Sequence, residues 1–526
     1  MVISNTSDRR AAVLHSTPNV TRNIVANYLG SAWSTLMLLA FVPLYIRFLG
    51  IEAYGLIGVF VLLQAWLSIL DVGLTPMLSR EMARLTVGAH TAQGIRNLVR
   101  SVEWVYGAIA LAIVLTVALA APWLATHWLR AERLSADTVT QALMISGAAI
   151  AARWLCGLYR EALSGLQRQV WLNGCTAFFA TLRGAGAVAV LAWISPSVQA
   201  FFAYQALLLG LEALTLARKM RLILPTAPCS PRFDWQALYA VRHFAGGMAA
   251  ITVLAVLLTQ VDKLLLSHLL PLSEFGYYAL ASTVAGALAV VIEPIRNATY
   301  PRVTQLVVLG DRSALADAYH TYSQLLTLMI VPASLVLSLF SGHVLLLWTR
   351  DATTTQAVAP LASLLVIGFM FNGLMHTPYT LQLAYGWTRL TLVTNLIAVL
   401  ILVPGIYFAV SAKGAPGAAM IWILLNVGYV ALAVPAMHRR LLPEEMWRWY
   451  RQDVGIPATA TCAVVVLARL ILPEPALENP VQSVAVVIAV AVMAQLVGTL
   501  ATPVGRNWLT DRIRICNPLP EGGGNE

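Results

Sequence analysis

A helix needs about 20 apolar residues to cross roughly 30 Å of hydrocarbon, and this chain supplies such runs almost from end to end. We count about fourteen spans: 24–49, 54–77, 104–125, 139–163, 171–194, 198–217, 240–268, 274–298, 319–341, 358–384, 390–411, 416–437, 454–472 and 480–502. The composition agrees, with only 11% charged residues and 59% hydrophobic ones, where a soluble chain carries roughly a quarter charged. The chain reads as an all-α integral membrane protein.

The basic residues test that count. With the N-terminus inside, the inner loops hold Arg9, Arg10 and Arg22, then Arg80, Arg84, Arg96 and Arg100, then Arg160 and Arg168, and so on to Arg506, Arg512 and Arg514. The outer loops hold Arg47, Arg130, Arg133, Arg350 and Lys413. Cytoplasmic loops are enriched in Lys and Arg, and one missed span would scramble the alternation. A bacterial inner-membrane protein with both termini cytoplasmic is expected. The first helix is expected to act as its targeting signal, because no short apolar core with a small-residue cleavage site precedes it. The net charge of +10 belongs to these loops and predicts no nucleic-acid partner. The longer basic segments 78–103 and 217–239 suit topological anchoring and attraction to anionic lipid headgroups.

A long internal period is also present. Shifted by 221 residues, LGIEAYG at 49–55 falls on LPLSEFG at 270–276, and Arg80 lands within one residue of Arg302. Each repeated unit holds six spans, an even number, so both copies enter the membrane in the same direction. Parallel repeats are related by an axis along the membrane normal, and transporters bind their cargo between them. The expected architecture is a tail (1–23), a six-helix lobe (24–236), a second lobe (237–438), an appended helix pair (439–503) and a tail (504–526). The two lobes would surround a central cavity.

Ionisable groups inside a bilayer are costly and are candidates for function. Arg183 falls about 12 residues into its span, some 18 Å at the helical rise, and is followed by the small residues Gly184–Ala187 that admit close approach. Arg153 is also near mid-depth. Two readings stay open for this pair: an anion-binding cleft, where a guanidinium fork suits phosphate, or a structural ion pair with an acid such as Glu212. Lys263 and Arg469 lie close enough to span ends to snorkel. Lys263, Arg296 and Arg302 are candidates for the mouths of a basic route. The acids Asp71, Glu212, Asp262 and Glu293 are candidates for ion coupling or gating, or else for capping and pairing. Pro76 and Pro294 sit at matching places in the two repeats, where proline bends a helix.

The absences narrow the class. No G-x-x-x-x-G-K-[ST], G-x-S-x-G or H-E-x-x-H pattern occurs, so no P-loop, esterase or zincin chemistry is expected. The five cysteines show neither metal nor disulfide spacing. No catalytic residue, metal or cofactor is expected.

NYLGSAW at 27–33, FLGIEAYGLIGVF at 48–60, LDVGLTPMLSREMARL at 70–85, QVDKLLLSHLLPLSEFGYYALA at 260–281 and YPRVTQL at 300–306 together resemble the O-antigen and lipid-linked oligosaccharide flippases. These form the polysaccharide-export branch of the multidrug/oligosaccharidyl-lipid/polysaccharide superfamily. The resemblance covers roughly 25–310 and matches the family pattern at Asp71, Gly73, Arg80 and Glu81. It implies a flippase, not an enzyme, that passes an undecaprenyl-pyrophosphate-linked glycan from the cytoplasmic to the periplasmic leaflet by alternating access. It implies membrane lipids and glycan polymerases or glycosyltransferases as partners. An ion-coupled multidrug exporter of the same superfamily is the alternative, and an integral-membrane glycan polymerase or ligase a more distant one.

Overall fold

The computed structural model describes residues 17–507, save positions 72, 87, 89 and 473–479; some helical side chains, those of Glu293 and Pro294 included, also lie outside the described residues. The described chain is helical, without a β-strand. Thirteen of its helices are long and apolar enough to cross a membrane, and each coincides with an expected span. The remaining expected span is the 35-residue helix Trp235–Leu269. Many apolar side chains face outward, as Trp193 does at 85% exposure. Lipid is as apolar as they are, so membrane helices need not bury such groups in protein.

The chain divides into two compact units, Met1–Gly276 and Tyr277–Glu526. The first contains α1 (Thr17–Leu49), α2 (Ile51–Leu67), α3 (Leu74–Thr86), α4 (Ala92–Trp123), α5 (Ala136–Gly165), α6 (Gln169–Trp193), α7 (Val198–Ile223) and α8 (Trp235–Leu269). Helix α5 lies against α4, α7 and α3, while α6 lies against α1 and α7. Helix α8, expected to open a second lobe, packs on α2, α3 and α4, and the compact-unit boundary falls some forty residues beyond the expected boundary at 236/237.

The motif that revealed the repeat also makes a contact with itself. Gly55 approaches the backbone of Leu272 and Gly276, and Gly276 approaches the backbone of Ile51 and Gly55. Glycines 221 residues apart thus allow two helix starts to cross at backbone distance, as small residues do between membrane helices. Glu52, buried beside this crossing, accepts hydrogen bonds from the backbone N–H groups of Glu132 (2.6 Å) and Arg133 (2.9 Å) and ties down the loop after α4.

The second expected span ends earlier than its hydropathy indicates. The helix breaks at Asp71–Gly73, where Gly73 takes φ 73°, and α3 then runs as a separate amphipathic helix burying Met77, Leu78, Glu81 and Met82. The bend lies at this glycine, not at Pro76. The proline occupies the first turn of α3, where its missing N–H costs nothing because that donor would be unpaired anyway. The matching bend expected at Pro294 lies outside the described residues.

In the second unit the principal helices are α9 (Leu272–Gly286, which holds the unit boundary), α10 (Ala289–Leu309), α11 (Arg312–Leu339), α12 (Ser341–Thr349) and α13 (Ala352–Leu374). They continue as α14 (His376–Ala384), α15 (Thr388–Lys413), α16 (Ala415–Gly428), α17 (Val434–Leu441), α18 (Ile456–Ile471) and α19 (Pro480–Ala501). Helix α11 touches α10, α13, α18 and α19. The appended pair α18/α19 is therefore not loose: Val465, Val490 and Ala494 bury against Val336 and Phe340 of α11 and its end. A seven-residue π-helical turn, Trp449–Gly455, leads into α18.

Candidate substrate site

A cluster of charge around a buried acid is built on α5, α6 and α7. Glu212 of α7 is fully buried. One carboxylate oxygen accepts a hydrogen bond from Arg160 Nη2 and the other from Arg183 Nη1. Arg160 comes from α5 and Arg183 from α6, so one carboxylate joins three helices. Arg153 lies seven residues before Arg160, two turns of α5, which places both on one face. Arg153 is exposed and makes no hydrogen bond or ion pair among the described residues, and its charge feels those of Arg183, Arg160 and Glu212.

Two guanidinium groups therefore share one carboxylate with a third beside them, and the cluster keeps a surplus of two positive charges. A buried charge is tolerated only when paired and hydrogen-bonded. Arg183 and Arg160 meet that demand through Glu212, whereas Arg153 has no such partner among the described residues. Of the two readings left open by the sequence, the ion pair with Glu212 is realised for Arg183, and Arg153 remains available to an anion. Arg160, which the loop count placed near the inner face, proved to be the missed member. Its seven-residue spacing from Arg153 was the available signal.

The small residues after Arg183 admit aromatic rings. A Cβ at Gly184 would collide with the Phe41 ring of α1, and one at Gly186 with Tyr204 of α7. The Tyr204 hydroxyl donates to the Leu182 carbonyl (2.9 Å). These contacts hold the backbone around Arg183 and so fix where its guanidinium emerges.

The other candidates are dispersed. Asp71 accepts from Tyr106 Oη and, at 2.8 Å, from Thr75 Oγ1, and it receives the Thr75 N–H at 3.2 Å. It caps the first turn of α3 from its fourth preceding position, a capping role satisfying donors that a helix start leaves unpaired. Glu81 is buried between Arg84 (3.0 Å) and His90 (2.7 Å). Lys263 pairs with adjacent Asp262 at 3.4 Å and donates to the Thr259 carbonyl at 3.0 Å, although neighbouring residues point about 100° apart on a helix. Its long stem bridges that angle. Arg296 and Arg302 belong to α10 of the second unit, the former half-buried and the latter exposed. The Glu293 side chain lies outside the described residues. No group of three or more metal-ligating side chains occurs among the described residues.

Comparison with known proteins follows the same outline. The family model described as "Polysaccharide biosynthesis protein" matches residues 20–307, more than half of the chain, and the MatE model matches 248–408. A Shigella flexneri protein named "Putative O-antigen transporter" is 21% identical over 404 residues, covering 77% of this chain and 94% of that protein. The Lipid II flippase MurJ in an inward closed conformation superposes with TM-score 0.70 at 11% identity, over 94% of this chain and all of its own. An inward-facing multidrug resistance MATE transporter of the MOP superfamily superposes with TM-score 0.60 at 14% identity, over 77% and 96%. Such low identities speak to the fold alone, an all-helical one with thirteen candidate membrane spans among the described residues. The family match runs from α1 through most of α10 and thus over both of the similar segments at 49–55 and 270–276: the chain belongs to the polysaccharide biosynthesis protein family and is a multi-pass membrane protein.

Proposed function

We propose that this transporter flips an undecaprenyl-pyrophosphate-linked oligosaccharide from the cytoplasmic to the periplasmic leaflet of a bacterial inner membrane. The observation that carries the reading is the charge surplus around Glu212. A pyrophosphate crossing hydrocarbon needs a basic, hydrated route, because an unpaired charge there is prohibitive. Arg153 offers a free guanidinium, and Arg160 and Arg183, while still paired with Glu212, add to the positive field around it. Guanidinium pairs with phosphate by two parallel hydrogen bonds. The lipid tail stays in the bilayer during the passage.

Alternating access between a first lobe (24–236) and a second (237–438) fits the parallel repeat. Lys263, Arg296 and Arg302 would serve the mouths of the route, and Asp71, Asp262 and Glu293 remain candidates for coupling. Glycan polymerases or glycosyltransferases would consume or supply the cargo. The match of residues 248–408 to MatE favours a second reading, a multidrug exporter, whose cationic cargo the surplus of arginine opposes.

The test is the sidedness of lipid-linked glycan in cells lacking the protein. Spheroplasts are treated with a membrane-impermeant glycosidase and the protected fraction is measured. Protected glycan should accumulate, wild type should restore access, and Arg153→Gln should not, although Arg153 supports no contact needed for folding. Unchanged sidedness with increased drug accumulation would transfer the assignment to the exporter reading.

A further inference from the structure

A second basic site lies away from the Glu212 cluster, at one membrane face of the second unit. The π-helical turn Trp449–Gly455 and the segment after α19 form a shallow depression of about 180 Å³, lined by Arg451, Gln452, Ile456, Ala501, Pro503 and Arg506. Two arginines and an amide supply the polar wall, and Ile456, Ala501 and Pro503 supply the apolar one. The start of one span (Pro443–Ile471) and the end of the next (Gln482–Ala501) bound it, so it sits where hydrocarbon gives way to headgroups.

The site is built rather than incidental. Gln324 of α11 is buried, and its side-chain amide holds both walls. Its Nε2 donates to Asp453 Oδ1 at 2.8 Å, and its Oε1 accepts from the Val504 N–H at 3.0 Å. Asp453, fully buried behind Arg451, also meets His320 Nδ1 at 2.5 Å, while His320 Nε2 meets Glu445 at 2.8 Å. The π-turn displaces successive side chains from α-helical register. It sends Asp453 inward to this network and leaves Arg451 and Gln452 exposed. Segments of π-helix are frequent at functional sites.

The acids nearby are already engaged. Asp453 is bound by His320 and Gln324, and Glu445 by His320 and Arg448. Neither Arg451 nor Arg506 makes an ion pair or side-chain hydrogen bond among the described residues. Two exposed guanidinium groups with no carboxylate, over an apolar floor at headgroup depth, match an anion bearing both phosphate and hydrocarbon.

We propose that this depression binds phosphate, presented as the phosphodiester headgroup of an anionic lipid in the adjacent leaflet, whose glycerol and upper acyl carbons lie on Ile456, Ala501 and Pro503. Arg451 and Arg506 hold the phosphate; Gln324 is a positioning residue that sets the distance between them. The occupant would clamp the appended pair α18/α19 to α11.

The experiment uses the purified full-length protein in detergent, with lipid retention read by native mass spectrometry. Short-chain phosphatidylglycerol, phosphatidylcholine and inorganic phosphate are titrated separately. Wild type should retain phosphatidylglycerol about tenfold better than phosphatidylcholine, and Arg451→Gln/Arg506→Gln should lose that preference. Arg389→Gln/Arg439→Gln, which removes the same charge from the same face outside the depression, should keep it. Inorganic phosphate that displaces phosphatidylglycerol at equal concentration would assign the site to free phosphate and overturn the lipid source. Equal retention of both lipids by wild type, or equal loss in the two double variants, would overturn the site itself. Thermal unfolding of each variant verifies folding, and Gln324→Leu gives a second route: weaker phosphatidylglycerol retention with both arginines still present.

Discussion

Replacing Glu212 by glutamine changes one buried oxygen to an amide and removes one negative charge from beneath three arginines. The native carboxylate accepts one hydrogen bond from Arg160 and one from Arg183. A glutamine can accept only one of them, and its NH₂ group then faces the other guanidinium as a second donor. A hydrogen bond to a charged group contributes about 1.5–3 kcal/mol, and leaving a buried charge without its partner costs about 3–5 kcal/mol. The Arg160 and Arg183 side chains keep 28% and 16% of their exposure, so water recovers part of the loss and about 3 kcal/mol is expected. At about 2 °C per kcal/mol for a unit of this size, the unfolding midpoint should fall by roughly 6 °C. Arg160→Gln or Arg183→Gln should cost about half as much or less, because Glu212 keeps one partner and the surplus of positive charge shrinks. Thermal unfolding of the three variants in detergent, with and without sodium pyrophosphate, makes the comparison. Pyrophosphate should rescue Glu212→Gln more than it stabilises wild type, since an anion takes the place of the missing carboxylate. A Glu212→Gln protein as stable as wild type, or more stable than both arginine variants, would refute the argument.

The crossing of the repeated motif predicts opposite outcomes for two glycines. A Cβ at Gly276 would lie 2.5 Å from the Ile51 carbonyl oxygen and 3.2 Å from the Gly55 nitrogen, backbone atoms with nowhere to move. Gly276→Ala should therefore cost about 1–3 kcal/mol, whereas Gly107→Ala on α4 meets nothing within 4 Å and should stabilise by up to about 1 kcal/mol; a common sign for the two midpoints would contradict the packing. Asp351 caps α13 by accepting from the Thr353 (3.2 Å) and Thr354 (3.0 Å) N–H groups, and hydrogen bonding from Thr354 holds its carboxyl below the usual 3.8. Its contribution, about 1 kcal/mol, is full above that usual value and fades as pH falls through the lower folded one. Asp351→Ala should thus lower the midpoint at neutral pH and leave it nearly unchanged in strong acid, and a pH-independent difference would exclude the cap.

Much of the fold was legible because a bilayer imposes a length and a polarity on every span. Each of the thirteen helices suited to crossing coincides with an expected run, and the matching LGIEAYG and LPLSEFG segments already announced the repeat. Boundaries were less legible where aqueous and membrane helices join. Hydropathy carried the second span on to residue 77, but Gly73 turns the chain and α3 follows with one buried face. Within the candidate site, Arg183 and Glu212 stood out by their depth. Arg160 did not, because a guanidinium near a span end has the same sequence signature whether it snorkels to water or reaches back to a buried acid.

Sequence alone determined the class and the approximate span count, since burial in lipid depends on the apolar length of each segment and little else. Tertiary structure alone decided which charges meet. Glu212 lies 52 residues from Arg160 and 29 from Arg183, and only the packing of α5 and α6 on α7 brings the three together. The same holds for Gln324, joined to Asp453 and Val504 across 129 and 180 residues. Charge pairing is short-ranged in space and indifferent to separation along the chain, so it becomes visible only once the helices are placed.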